Sequence, residues 1–115
     1  MAATRGNDWG LPERSRSSTG ITRPISVACY PDRLVMFPEN PVRGRPFDLN
    51  VDGRLVDQMD ELVQRIWTRM DNWGIAGAGM YWKPVLEVQV EPGADARYEE
   101  LAALLEDSGI VVMRK

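Results

Sequence analysis

The fold is decided at Val85-Leu-Glu-Val-Gln-Val90, where two sets of side chains alternate along the chain. Such alternation predicts a strand with one buried face, and we expect the set Leu86, Val88 and Val90 to face the core. Pro84 stands directly before this stretch and is interpreted as the start of the strand. The protein is therefore expected to contain a sheet.

A helix and a second strand are predicted to follow. Pro92-Gly93 ends the first strand, and Asp95 is placed to cap a helix from about Ala96 to Asp107. Ser108-Gly109 ends that helix, and Ile110 to Met113 forms a short apolar run. This spacing of strand, helix and strand is typical of a parallel pair joined by a right-handed crossover.

Another helix is predicted earlier in the chain. Apolar residues recur there at spacings of three and four, and they are Leu55, Met59, Leu62, Val63, Ile66, Met70 and Trp73. This spacing places them on one face of an amphipathic helix, with charged residues on the other face. Gly74 is expected to end the helix, because glycine readily adopts the left-handed conformation found at helix ends.

A hairpin is predicted before this helix. Ile25 to Tyr30 and Arg33 to Phe37 are β-prone runs, and Pro31-Asp32 between them is a turn signal. Residues 38–46 hold three prolines and a glycine, which predicts an irregular surface connector. Asp48-Leu-Asn-Val-Asp52 resembles the start of a calcium-binding loop, but the later bidentate glutamate of such loops is missing.

These elements follow one another in the order ββαβαβ. We expect an α+β fold, a two-layer sandwich in which a four-stranded mixed sheet carries both helices on one face. Two amphipathic helices must cover the same apolar face, so the other face is left to solvent or to a partner. Residues 1–20 are interpreted as a flexible N-terminal arm or linker, and residues 21–115 as a single domain.

Composition and charge argue against several classes of function. The chain has 115 residues and a net charge of −3, and a negative charge disfavours nucleic-acid binding. It has no histidine and one cysteine, Cys29, so we expect no enzyme activity, no metal site and no cofactor. No run approaches the ~18 apolar residues of a membrane span, so the chain itself is expected to make no membrane contact.

Bulky apolar side chains mark a candidate partner site. Met80, Tyr81 and Trp82 follow one another, and Trp9 lies in the otherwise polar N-terminal arm. Exposed apolar patches of this kind are typical of protein contacts. The favoured interpretation is a non-catalytic interaction or assembly domain that binds a protein partner or associates with itself as a homodimer.

A glycine-rich connector offers a different candidate site. Gly77 and Gly79 lie between the first helix and the following strand, where a small ligand could approach the backbone closely. The alternative interpretation is therefore a small-ligand-binding regulatory domain of the ferredoxin-like type.

The C-terminal part of the chain resembles a known family. Val85 to Val90, the leucine-bearing helix that Tyr98 opens, and Ser108-Gly-Ile-Val-Val112 look like the soluble domain of the ExbD/TolR family over roughly residues 84–115. Members of that family are accessory subunits of ion-driven bacterial motors, and their soluble domains act as dimeric scaffolds outside the inner membrane. The resemblance implies the C-terminal module of a larger bacterial protein on the periplasmic side of a membrane. Without the resemblance, a cytoplasmic location is expected.

The chain also departs from that family. Val90-Glu-Pro-Gly93 stands where the family usually has an Ala-Asp-Lys or Ala-Asp-Arg stretch. The family's transmembrane helix, with its functional aspartate, has no counterpart among these residues. The resemblance therefore assigns ion coupling to no residue of this chain.

Overall fold

The computed structural model describes residues 19–115, which form one mixed sheet and two helices. The elements are β1 (Thr19–Tyr30), β2 (Arg33–Met36), β3 (Phe47–Asn50), α1 (Met59–Asn72), β4 (Met80–Val90), α2 (Asp95–Leu104) and β5 (Val111–Arg114), and a 3₁₀ turn (Leu55–Gln58) leads into α1. The strand order across the sheet is β3-β2-β1-β4-β5. The β1–β2 and β2–β3 pairs are antiparallel, and the β1–β4 and β4–β5 pairs are parallel. The predicted α+β class, with a mixed sheet and two helices, is confirmed.

One face of the sheet and both helices share a single hydrophobic core. The strands contribute alternate residues to it, such as Ile25 and Val27 of β1 and Leu86 of β4. Ile66 of α1 and Leu101 of α2 belong to the same cluster, and both are fully buried. Because both helices pack against this one set of strand residues, they lie on the same side of the sheet.

The prediction of four strands in the order ββαβαβ is wrong. The sheet has five strands, because Phe47–Asn50 forms β3 at its edge, paired antiparallel with β2. This strand has only four residues, and it directly follows the proline-rich connector, so its alternation is short. Leu49 is buried in the core, while Asp48 is exposed and belongs to a strand instead of a calcium loop.

Two strands are longer than the sequence predicts. β4 begins at Met80 instead of Pro84, and β1 begins at Thr19, ahead of the β-prone run that starts at Ile25. The two strands pair in parallel along their common length, from Thr19 opposite Met80 to Cys29 opposite Val90. Pro24 lies within β1 and Pro84 within β4. Each stands where the neighbouring strand, β2 or β5, does not reach, so no backbone hydrogen bond of the sheet is lost.

The second helix is shorter than predicted. Its N-cap is Ala94, and Asp95 does not cap it but accepts a hydrogen bond from Arg114 at 2.7 Å. The helix ends at Leu104 because the buried Ser108 hydroxyl donates to the Leu105 carbonyl oxygen at 2.6 Å and accepts the N–H of Ile110 at 3.1 Å. A serine side chain thus satisfies the backbone groups that a longer helix would have paired.

Candidate functional site

Within residues 19–115 no helix or strand packs on the face of the sheet opposite α1 and α2, and Val85 at its centre is 8% exposed. A groove of about 320 Å³ crosses β1, β4 and β5 on this face. Its walls are Thr22, Pro24, Lys83, Val85, Glu87, Val111 and Met113. We call this feature the sheet groove, and the walls are mainly aliphatic.

Strand register explains why these side chains meet. Pro24 lies opposite Val85, and Val85 lies opposite Val111, so one apolar row runs across the sheet groove. Lys83 and Glu87 flank Val85 at two residues' distance on the same strand, and side chains two apart share a face. The sheet groove therefore has an apolar floor with a positive charge at one end and a negative charge at the other.

β1 extends beyond β2, and β4 extends beyond β5, so each has a stretch with one free edge. Each of these stretches carries a proline. The Ser26 carbonyl oxygen accepts the N–H of Phe37 and therefore points towards β2. Backbone groups two residues apart in a strand point to the same side, so the Pro24 nitrogen also points to that side, beyond the end of β2. Val88 accepts from Lys115 on the β5 side, so Pro84 directs its nitrogen past the first residue of β5. Proline nitrogen has no hydrogen to donate, so both free edges are poor templates for an added strand.

An aromatic and ionic cluster lies on the helix side of the sheet, near the start of β4. The Arg23 guanidinium lies 4.8 Å from the centre of the Trp73 ring and 5.3 Å from that of Trp82, and it donates to Glu39 at 3.0 and 3.3 Å. The Trp73 indole N–H donates to the same carboxylate at 2.8 Å, and the Trp82 indole N–H donates to the Gly74 carbonyl oxygen at 2.8 Å. These polar groups satisfy one another, so we assign the cluster to stability.

Three arginines meet in a smaller hollow between α1 and the start of β3. The hollow has a volume of about 140 Å³, and its walls are Met36, Arg45, Phe47, Arg65, Thr68, Arg69 and Asn72. We call it the arginine hollow. No carboxylate belongs to its walls, and within residues 19–115 none of the three arginines forms an ion pair.

Two of these arginines are held in place by neighbouring groups. The Arg65 guanidinium lies 4.3 Å from the centre of the Phe47 ring, and Arg69 donates to the Phe37 carbonyl oxygen at 2.8 Å. Burial lowers the pKa of Arg69 from its usual value, while the Glu39 carboxylate opposes that change. A guanidinium remains protonated at neutral pH even so, and the hollow therefore keeps its positive charge.

The predicted partner residues do not form one patch. Met80, Tyr81 and Trp82 are successive residues of β4, so Tyr81 points to the opposite side of the strand from the other two. Trp82 is half-buried in the cluster with Arg23, while Met80 is 48% exposed. Trp9 lies outside the described residues.

The predicted ligand residues shape a turn. Gly77 and Gly79 have φ angles of 133° and 68°, in the region that favours glycine. The Gly77 carbonyl oxygen accepts the N–H of Met80 at 3.1 Å, and that of Gly79 accepts the N–H of Thr19 at 2.8 Å. Neither residue lines the sheet groove or the arginine hollow, so the geometry gives Gly77 a role in the turn before β4 and Gly79 a role in tying that turn to β1.

The sequence does not predict the residues of the sheet groove or of the arginine hollow as site residues. Lys83 and Glu87 resemble ordinary surface residues until the register places them around one apolar row. Arg65 and Arg69 lie four apart, which puts them on one face of α1, and this spacing was the available signal. Arg45 comes from the connector, and no local pattern links it to the helix.

Within residues 19–115, no group of three or more cysteine, aspartate or glutamate side chains is placed to hold a metal ion, and no helix has the length and hydrophobicity needed to cross a membrane. No protein-family model, curated protein or solved structure matches this chain.

Proposed function

We propose that this protein is a non-catalytic assembly domain that forms a symmetric homodimer through the sheet groove. The observation that carries the proposal is the mainly aliphatic groove on the sheet face on which no helix or strand of residues 19–115 packs. A contiguous apolar patch at the surface of a domain is typical of an interaction site. Two sheets can pack face to face about 10 Å apart, as they do in sandwich proteins.

The charges of the groove favour a second copy of the same chain as the occupant. In a two-fold dimer whose axis lies between the two sheets and perpendicular to the strands, the same patch meets itself with the strand direction reversed. An axis that passes near Val85 brings Lys83 of one protomer towards Glu87 of the other, and the reverse pair forms by symmetry. The apolar row then meets its own copy at the centre. The patch is therefore complementary to itself in both charge and polarity.

The face is a better contact surface than the strand edges. Pro24 and Pro84 remove backbone donors from the free edges of β1 and β4. The outer strands β3 and β5 have only four residues each. Short edges add few backbone hydrogen bonds, so the proposal places the partner on the sheet face.

Charge reversal tests this arrangement directly. We expect sedimentation velocity to give a dimer for the wild type and a weaker dimer for Lys83→Glu, because two carboxylates would then face each other across the axis. The double variant Lys83→Glu/Glu87→Lys should restore the wild-type affinity, since the opposite charges meet again. A double variant that is no tighter than the single variant contradicts the proposed axis.

An apolar pair of variants supplies the matched control. Met113 is a 50% exposed wall of the groove, whereas Ile75 is 94% exposed and lies outside it. Met113→Glu should weaken the dimer and Ile75→Glu should not. A wild-type monomer at every concentration up to about 100 μM contradicts the proposal, because specific interfaces of standard size bind more tightly than that.

A periplasmic scaffold of the ExbD/TolR kind is the form of this proposal that the sequence resemblance implies. The soluble domains of that family act as dimers, which agrees with a self-complementary face. Cell fractionation of the natural protein tests it. Recovery with a periplasm-facing membrane anchor supports this form, and recovery as a free cytoplasmic protein contradicts it while leaving the dimer proposal intact.

A further inference from the structure

We propose that the arginine hollow binds a ligand that carries a phosphate monoester. The hollow lies on the helix side of the sheet, away from the sheet groove, and its three arginines come from two separate parts of the chain. Arg65 and Arg69 project from successive turns of α1, and Arg45 approaches from the connector before β3. The binding groups therefore converge from different directions on one small space.

The hollow brings three of the described arginines together, whereas Arg33 and Arg43, which also lack an ion pair within residues 19–115, lie outside its walls. Arg23, Arg54, Arg97 and Arg114 each form an ion pair with a carboxylate elsewhere in the described chain. The three arginines of the hollow have no such partner within residues 19–115, although the whole chain has a net charge of −3. Like charges brought together repel one another unless an anion joins them. Glu39 acts on Arg69 from outside the hollow, and no carboxylate of residues 19–115 lines it, so its walls are arranged for an added anion.

The available donors fit a phosphate better than a carboxylate. A carboxylate is satisfied by one guanidinium that donates in a bidentate manner, whereas a phosphate monoester carries up to two charges and three acceptor oxygens. Arg69 uses one Nη for the Phe37 carbonyl oxygen, so its other N–H groups remain for a ligand. The Thr68 hydroxyl donates to the Gln64 carbonyl oxygen at 2.9 Å and is therefore not counted as a donor to the ligand.

The remaining walls suit the organic part of such a ligand. Met36 and Phe47 provide apolar surface next to the arginines, and the Asn72 amide provides a neutral donor. Arg65 already lies against the Phe47 ring, so its guanidinium is fixed before any ligand arrives. A donor that is held in place loses less entropy on binding than a mobile side chain.

The phosphate can belong to a small metabolite or to a phosphorylated side chain of a protein, and two probes separate these sources. One probe is glycerol phosphate, a small monoester, and the other is a phosphoserine peptide with its unphosphorylated form as the control. Binding is followed by NMR titration of the ¹⁵N-labelled chain at constant ionic strength, which removes general screening effects. The probe that binds more tightly identifies the source.

Arginine variants decide whether the hollow is the site. Arg45→Gln and Arg65→Gln should each weaken binding about tenfold, because each removes a charged donor to the phosphate. The matched control is Arg54→Gln, whose side chain is 79% exposed and lies outside the hollow. It removes the same charge and should leave affinity unchanged. The thermal unfolding of each variant is measured to exclude loss of the fold.

Three outcomes overturn the proposal. One is the absence of saturable binding for both probes. Another is an equal loss of affinity in Arg54→Gln and Arg65→Gln, which would indicate general charge attraction. The last is a set of shifted resonances that excludes α1 and the residues around Arg45.

Discussion

Glu100 links two segments of the chain by using its two carboxylate oxygens separately. One oxygen accepts from the Arg97 guanidinium at 2.7 Å, and the other accepts the backbone N–H of Leu55 at 2.7 Å. Arg97 in turn donates to the carbonyl oxygens of Pro31 and Gly53, both at 3.0 Å. The start of α2 is thereby tied to the β1–β2 turn and to the start of the 3₁₀ turn.

We expect Arg97→Met to lower the free energy of unfolding by about 2 kcal/mol, because it leaves a partly buried carboxylate and two carbonyl oxygens without their donor. Urea unfolding measures the change. Arg54→Met is the control, since the Arg54–Asp57 pair is 3.7 Å long and highly exposed and should contribute little. Equal losses in the two variants would show that the Arg97 contacts add nothing specific.

The cluster around Arg23 predicts a measurable coupling. Arg23 contacts both Trp73 and Glu39, so replacing either Arg23 or Glu39 removes the same ion pair. A double-mutant cycle with Arg23→Met and Glu39→Gln should give a coupling energy of about 1 kcal/mol, because the pair is bidentate but about one-third exposed. Tryptophan fluorescence reports the unfolding. Additive effects of the two substitutions would argue that the contact is not maintained in solution.

Cys29 predicts a pH dependence of stability. Burial raises the pKa of its thiol from 9.0 to about 11, and the nearby Arg97 guanidinium lowers it only in part. Between about pH 9 and pH 11, the unfolded thiol loses its proton while the folded thiol keeps it. The free energy of unfolding should therefore fall as pH rises through this window, and the thiol contributes no slope below it.

The comparison of wild type with Cys29→Ala isolates this effect from other alkaline titrations. The difference between their free energies of unfolding should be constant below about pH 9 and should shrink up to about pH 11. Unfolding in urea at several pH values measures both curves. Parallel curves through that window would mean that the thiol is not desolvated as its burial implies.

The sequence predicts the parts of this fold that have a strong local pattern. The apolar residues from Leu55 to Trp73 recur at helical spacing over about five turns. In the structure those of them that are buried, Leu55 to Ile66, belong to the core. β3 has only four residues, and too few alternations precede and follow Leu49 to distinguish it from a loop. Its place is fixed by pairing with β2, and pairing is not a local property.

Candidate sites are harder to predict than elements for a related reason. The sheet groove joins β1, β4 and β5, and its residues meet only because of strand register. The arginine hollow joins a helix face to Arg45, which lies 20 residues before Arg65 in the chain. In contrast, Met80, Tyr81 and Trp82 form one run of bulky apolar residues in the sequence. Strand alternation places the Tyr81 side chain on the opposite face of β4 from the other two.

The long parallel pair of β1 and β4 has a consequence for the order of folding. Each of its partner positions is separated by 61 residues, whereas β1 and β2 meet through a two-residue turn. Closing a long loop costs more chain entropy than closing a hairpin, and contacts between distant residues slow folding. We expect pulse-labelled hydrogen exchange to find the β1–β2 amides protected early and the β4 amides late, so that the junction between β1 and β4 is the last part of the sheet to become native.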